Sequence, residues 1–300
     1  MKQSILVLGS DFIARSVVQG LAATDWALPL SAADVTSKSA ALQGIAGVVN
    51  CTSGSPAVIV ESTRALFRKA GVAASPMPIV HLGSMSVYGS AVGRVDESSA
   101  VRDDIGAYAA AHIAAETIAA AYPRCVIFRL GCEFGPGSDY WSGRIAQCLL
   151  AGRLGDLGSA GDGYCNLLDV DDLVQAVIRA LTSARVERGI FNLCNPEAPT
   201  WNEFLTRYAI ALHAVPVRRI SHRRLRLEAK ILAPPLKAAE ILFRACRIDA
   251  RRLPPPIPPS LLRVMRQEIR LDTRRIEADL EVRWKDLNTT LRETAQWFLH

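Results

Sequence analysis

The chain has 300 residues, half of them apolar, 21% charged, with a formal net charge of +6. That composition excludes a disordered chain, which is poor in apolar residues and dominated by net charge. With 20 glycines and 16 prolines, it is neither collagen-like nor low-complexity, and no apolar run reaches the roughly 20 residues that span a bilayer.

Short apolar runs alternate with helical patterns through the first two thirds of the chain. Residues 5–8 predict a buried strand, followed by a helix near 12–23. Residues 47–51 predict a second strand, with a helix near 57–70. Residues 78–82 and 125–129 predict a third and a fourth, and 190–193 a fifth. Alanine-rich helices are expected near 105–121 and 170–182. Continuous apolar strands separated by helices pair in parallel with both sheet faces covered. The expected fold is therefore α/β, a Rossmann-type doubly wound sheet whose ligands sit outside the C-terminal strand ends. Beyond about residue 196 helices dominate, and the proline run at 254–259 makes a stiff connector. The expected division is a core over 1–130 and 164–195, and a smaller, mainly helical substrate lobe over 131–163 and 196–300.

Charge is unevenly spread. Residues 1–215 hold 16 Lys/Arg against 19 Asp/Glu, and residues 216–300 hold 19 against 10. A basic segment attracts phosphate. No nucleic-acid recognition motif accompanies it, so no nucleic-acid partner is expected. The stretches 231–236 and 241–244 are apolar with basic flanks, which suggests peripheral membrane contact. Seven cysteines are scattered without a CxxC pair, so neither a disulfide framework nor zinc is expected. The apolar run at 5–8 is too short for a secretory leader, and a cytoplasmic protein is expected.

Two segments carry the strongest local signal. One is His81-Leu82-Gly83-Ser84-Met85-Ser86-Val87-Tyr88-Gly89. The other is Tyr108-Ala109-Ala110-Ala111-His112, running on to Glu116. Together they resemble the serine strand end and the YxxSKxxxE helix of the extended short-chain dehydrogenase/reductase family, the NAD-dependent epimerase/dehydratases. Arg129 to Gly137 resembles the family's RxxNVYGPG turn. Gly161-Asp162-Gly163, Asn166 and Val170-Asp171-Asp172-Leu173 resemble its GxG…VDDL segment. Phe191-Asn192-Leu193 and the start of a helix at Trp201 follow in the family's order.

The resemblance implies Ser84, Tyr108 and His112 as catalytic residues. It implies Gly9, Ser10, Phe12, Ile13, Asp34, Thr52 and Ser53 around NAD or NADP, and Met85, Cys132, Glu133 and Asn166 near substrate. The substrate implied is a small molecule, a nucleotide sugar or a similar hydroxyl or ketone compound. The implied assembly is a homodimer through alanine-rich helices. A tyrosine hydroxyl titrates near pH 10 and needs a nearby cation to act as a base at neutral pH. A serine hydroxyl beside it holds the substrate oxygen.

The chain departs from the family pattern at four points. His112 stands where the family has lysine; a histidine is shorter and mostly neutral near pH 7, and in an active redox site it lowers the Tyr108 pKa only when protonated. Asp11 stands where a glycine lets the backbone approach a pyrophosphate, and a carboxylate there competes for the helix's positive end. Residues 26–35 are too few for two strands and a helix, and Ala33-Asp34-Val35-Thr36 resembles a later family segment. Met85-Ser86 follows the serine in place of the Asp-Glu pair of 4,6-dehydratases. Two other readings stay open: a redox-inactive binding or partner subunit, and a non-redox enzyme using Tyr108 and His112 for proton transfer. His81 is expected as a structural hydrogen-bonder, Cys132 as a space-filler, and Asp171-Asp172 as a helix cap and first-turn acid.

Overall fold

Val-, Ile- and Leu-rich runs that do not alternate bury both faces, and five of them pair in a single sheet with a half-exposed edge strand. The computed structural model describes residues 2–31, 42, 44–72, 75–246 and 253–300. Two compact units divide the chain. One comprises Met1–Glu133, Leu167–Pro196 and Leu271–Lys285; the other comprises Phe134–Asn166, Glu197–Arg270 and Asp286–His300.

The first unit holds the sheet. Strand β1 (Gln3–Leu8) lies between β2 (Ala27–Ser31) and β3 (Gly47–Asn50). Beyond β3 come β4 (Ile79–Ser84), Cys125–Leu130 and Gly189–Leu193. Every pairing is parallel. Strand β2 is the one the sequence patterning missed. It sits at the sheet edge, where Pro29 is tolerated because one side of the strand needs no ladder.

Helices cover both faces. On one, α1 (Phe12–Ala22) and the helix Val170–Thr182 bury Val17, Leu21, Leu173 and Val177 against Val7, Phe128 and Phe191. These two helices approach closely at Gly20, where an added Cβ would lie 2.1 Å from a Val174 methyl. On the other face, Leu66 and Phe67 of α2 (Pro56–Ala70) and Ala119 of α3 (Ala107–Ala120) pack over Leu6, Val48 and Ile127. The returning segment is anchored here too. Ile276, Leu280 and Val282 join the core, and the Lys285 backbone N–H donates to Asp172 at 3.1 Å.

The second unit is mainly helical. Its core is an aromatic cluster in which Phe134, Phe204 and Tyr208 pack edge-on or stacked, with ring centres 5.0–5.8 Å apart. The helix Trp201–Ala211 starts on a reciprocal cap between Thr200 and Glu203, as its Thr-x-x-Glu spacing requires. Trp201 is fully buried in that core.

Candidate functional site

In a doubly wound sheet the ligand crevice opens where strand order reverses. Here that point lies between β1 and β3, because β2 lies to one side of β1 and β3 to the other. The turn after β1 uses Gly9 at φ +120°, a backbone shape that disfavours other residues. An added Cβ there would stand 2.8 Å from the Cys51 carbonyl oxygen. The turn and the loop after β3 therefore meet at a glycine-only contact.

Asp11 caps α1. Its carboxylate accepts from the Ala14 N–H at 3.0 Å and from the Ser53 hydroxyl at 2.7 Å. The N–H groups of Phe12 and Ile13 open the helix, where helical geometry supplies no intrahelical acceptor. Thr52 is turned inward, its N–H and hydroxyl both donating to the Asn50 side chain, the hydroxyl at 2.7 Å. Gly9, Asp11 and Ser53 thus come together, with Ser10, Phe12 and Ile13 on the same turn and Thr52 beside Ser53. Asp34 lies outside the described residues.

The second group lies along α3 and the end of β4. Ser84 closes β4 and its hydroxyl accepts the Ser86 N–H at 3.2 Å, capping the short turn Met85–Tyr88. Helix α3 packs against both β4 and that turn. Tyr108 and His112 are one helical turn apart on α3 and therefore share a face. Their ring centres are 4.5 Å apart, edge to face. Tyr108 is half exposed, whereas His112 is 5% exposed and neither of its ring nitrogens has a hydrogen-bond partner.

Burial pushes the His112 imidazole down to about 4. No acceptor compensates the loss of water, so near neutral pH the ring does not supply the charge that a lysine would carry there. His81, on β4, is also buried. It meets the Asn50 amide at 3.0 Å, as a structural hydrogen-bonder should. Burial and the nearby His112 push it down to about 3.

A buried polar cluster, which sequence reasoning missed, holds this region. Arg129 donates to Glu116 through Nε at 3.0 Å and to the Tyr88 hydroxyl through Nη1 at 2.8 Å. Tyr88 in turn donates to Asn192 at 2.6 Å. Glu116 lies two turns beyond Tyr108 on α3, so its two-pronged bond with Arg129 fixes that helix to the sheet. The signal was available: Arg129, Glu116, Tyr88 and Asn192 all stand inside the quoted motifs.

The expected substrate residues fall in both units. Met85 and Cys132 are buried and Glu133 is half-buried. Burial drives the Cys132 thiol well above its ordinary value, which suits a space-filler. Asn166 belongs to the second unit, where its amide donates to the Ile269 carbonyl at 2.9 Å. The expected cap at Asp171-Asp172 is displaced by two residues. Asp169 is the cap, accepting from the Asp171 N–H at 2.7 Å, while Asp171 and Asp172 lie in the first turn.

Comparison with known proteins follows the same lines. Residues 16–194 match the model of the NAD dependent epimerase/dehydratase family. No curated protein matches the chain in sequence. Among solved structures, it is similar to the human epimerase family protein SDR39U1 (isoform 2) with NADPH. That likeness has 17% identity and TM-score 0.73, over 98% of this chain and 99% of that one. It is also similar to RMD from Pseudomonas aeruginosa complexed with NADPH, at 16% identity and TM-score 0.71 over the whole of both chains. A third is UDP-glucuronic acid 4-epimerase from Bacillus cereus, in complex with UDP-glucuronic acid and NAD. It shares 14% identity, with TM-score 0.72 over 99% of each chain.

Proposed function

Because the chain belongs to the NAD-dependent epimerase/dehydratase family, we propose that it is a divergent NAD(P)-dependent epimerase or reductase acting on a nucleotide sugar or a similar hydroxyl or ketone compound. The observation that carries this reading is the face shared by Tyr108 and His112 on a helix packed against the strand that ends in Ser84.

The residues present fit a dinucleotide unequally. Gly9 preserves the tight turn, and the N–H groups of Phe12 and Ile13 are suited to a phosphate. The two unpartnered nitrogens of His112 suit a ribose hydroxyl, since buried polar atoms without partners call for one. Asp11 opposes the pyrophosphate by placing its own carboxylate at the helix end. When bound, the nicotinamide would take up or return a hydride. With a neutral imidazole beside it, the Tyr108 hydroxyl would serve as the acid that gives its proton to the substrate oxygen, while the Ser84 hydroxyl donates a hydrogen bond to that same oxygen. His112 acts as a neutral hydrogen-bonding group and orients Tyr108 through their ring contact.

Two features favour a second reading, a redox-inactive binding or partner subunit: the neutral His112 and the carboxylate at the start of α1. Calorimetric titration with NADH and NADPH separates the two. Binding of either, followed by turnover of a member of a UDP- and GDP-sugar panel, supports the enzyme. No binding of any nicotinamide nucleotide would leave the partner reading standing. Tyr108-dependent turnover indifferent to these nucleotides would select non-redox proton transfer. A homodimer packed through α2 and α3 and a cytoplasmic location belong to the same proposal, and sedimentation tests the former. Among the described residues no helix is long and apolar enough to cross a membrane.

A further inference from the structure

Within the second unit a helical run extends over His222–Leu227, a wider turn Glu228–Leu232, and Ala233–Ala245. Its amphipathicity is inverted. The side turned inward carries Leu225 and Ala233 together with two acids, Glu228 and Glu240. The inner acids are neutralised by cations: Arg153 donates to Glu228 through Nε at 3.1 Å, and Lys237 to Glu240 at 3.0 Å. The outer side exposes Leu227, Ile231, Leu232, Ile241 and Leu242, with Ile231 and Leu242 each 61% exposed. From Ile231 onward the exposed apolar positions 231, 234, 235, 238, 241 and 242 recur at helical spacing and form a stripe, with Leu232 and Lys237 also exposed. Single exposed aliphatics are ordinary on protein surfaces, but a contiguous stripe of this kind marks a contact face.

Charge identifies what covers it. The run contains six Lys/Arg and two Asp/Glu, and the acids are the two buried ones. Among the described side chains, what remains at the surface is apolar and basic, the signature of a helix lying in an anionic membrane interface. A second copy is disfavoured, because two-fold pairing of identical faces would set one basic rim against another. A cavity of about 760 Å³ beside the run is lined by Tyr140, Arg144, Lys230, Pro234, Lys237 and Glu240 among others. Three cations face one carboxylate, already paired with Lys237, and the remaining positive charge suits a headgroup phosphate.

We propose that the outer face of His222–Ala245 docks this protein on the surface of an anionic phospholipid bilayer, with Ile231, Leu232, Ile241 and Leu242 entering the acyl boundary and the flanking arginines and lysines contacting phosphates. The docking is peripheral and independent of the chemistry proposed for the first unit.

Flotation of the whole chain with vesicles tests it. Vesicles of phosphatidylcholine with about one third phosphatidylglycerol should carry the protein at low salt, and pure phosphatidylcholine should not. Binding should be largely lost near 1 M salt, where charges are screened beyond about 3 Å. The double variant Ile241→Asp/Leu242→Asp should float at least about tenfold less, with an unchanged circular-dichroism melt, since both side chains are exposed. Arg223→Glu/Arg224→Glu should reduce binding only to the anionic vesicles. Failure to float with anionic vesicles at low salt would overturn the proposal. So would equal binding to both compositions, or binding that survives Ile241→Asp/Leu242→Asp. A wild-type dimer that this variant dissociates would assign the face to a second copy and overturn it as well.

Discussion

The turn after β1 and the face of α3 both depart from the family pattern by one residue, and the departures behave oppositely. At the turn, Asp11 is fully engaged, holding the Ala14 N–H and the Ser53 hydroxyl. On the helix, His112 is buried with both nitrogens unpartnered. The first substitution satisfies the protein's own backbone and, on the proposed reading, obstructs an anion. The second leaves polar atoms waiting for a partner at a cost to the folded chain. Side-chain identity alone does not separate these outcomes; whether a partner lies within hydrogen-bond reach does.

The contrast can be broken or sharpened by substitution. The largest effect is expected at the α3 face, where Tyr108→Phe should reduce kcat/KM by about 10²–10⁴-fold and leave the Tm unchanged, because the side chain is half exposed. Steady-state kinetics and a thermal melt read the two quantities. Normal turnover in this variant would mean that the tyrosine is a remnant.

Next is the acid dependence of stability. The folded-state pKa of His112 lies near 4, below the ordinary 6.5. The unfolded chain therefore binds more protons as pH falls through that window. Stability contributed by the neutral imidazole is complete above about pH 6.5 and is lost toward pH 4, by up to about 3 kcal/mol. His81, pushed lower still, extends the loss in the same direction. Urea melts across pH 4–7 should show a shallower slope for His112→Gln. An unchanged slope would show that His112 is not the group being protonated.

Asp11→Gly should then tighten nicotinamide-nucleotide binding by about tenfold, or about 1.4 kcal/mol. The cost in stability should be only a few tenths of a kcal/mol, since glycine is an acceptable cap. Calorimetry showing equal or weaker binding would remove Asp11 as an obstruction and erase half of the comparison.

The smallest effect concerns a third helix start, at Val170–Thr182. Burial, then the neighbouring Asp169, raises the Asp172 carboxyl to about 7. The folded chain there holds a proton that the unfolded chain has released, so stability falls as pH rises from about 4 to 7. Asp172→Asn should flatten that limb and raise stability at pH 8 by about 1 kcal/mol. It retains an oxygen to accept the Lys285 N–H. A lower Tm in this variant at pH 8 would mean that the carboxylate's attraction to Lys285 outweighs its burial.

Much of the fold was legible because buried parallel strands leave continuous apolar runs. The strands around residues 5–8, 47–50, 79–82, 125–129 and 190–193 announced themselves in this way. Ala27–Ser31 did not, because this edge strand carries a half-exposed pattern and admits Pro29. The cap of Val170–Thr182 was misplaced because three acids lie within four residues, and only backbone direction distinguishes Asp169 from Asp171. The site residues were named by motif spacing, and that spacing correctly puts Tyr108 and His112 on one face. The ionisation of His112 was not legible, since it depends on what surrounds the ring.

By itself the sequence determined the doubly wound sheet, the order of its motifs and the separation of an acidic body from a basic tail. These follow from local periodicity, turn chemistry and composition, which belong to neighbouring residues. Only the folded chain shows that both His112 nitrogens are buried without partners, that Asp11 is tied to Ser53 and that Arg129 and Glu116 fix α3 to the sheet. It also shows that the helical run from His222 to Ala245 turns its acids inward and its isoleucines outward. Each of these depends on residues far apart in sequence being brought within a few ångströms, where desolvation and hydrogen-bond reach, not residue type, set the energy.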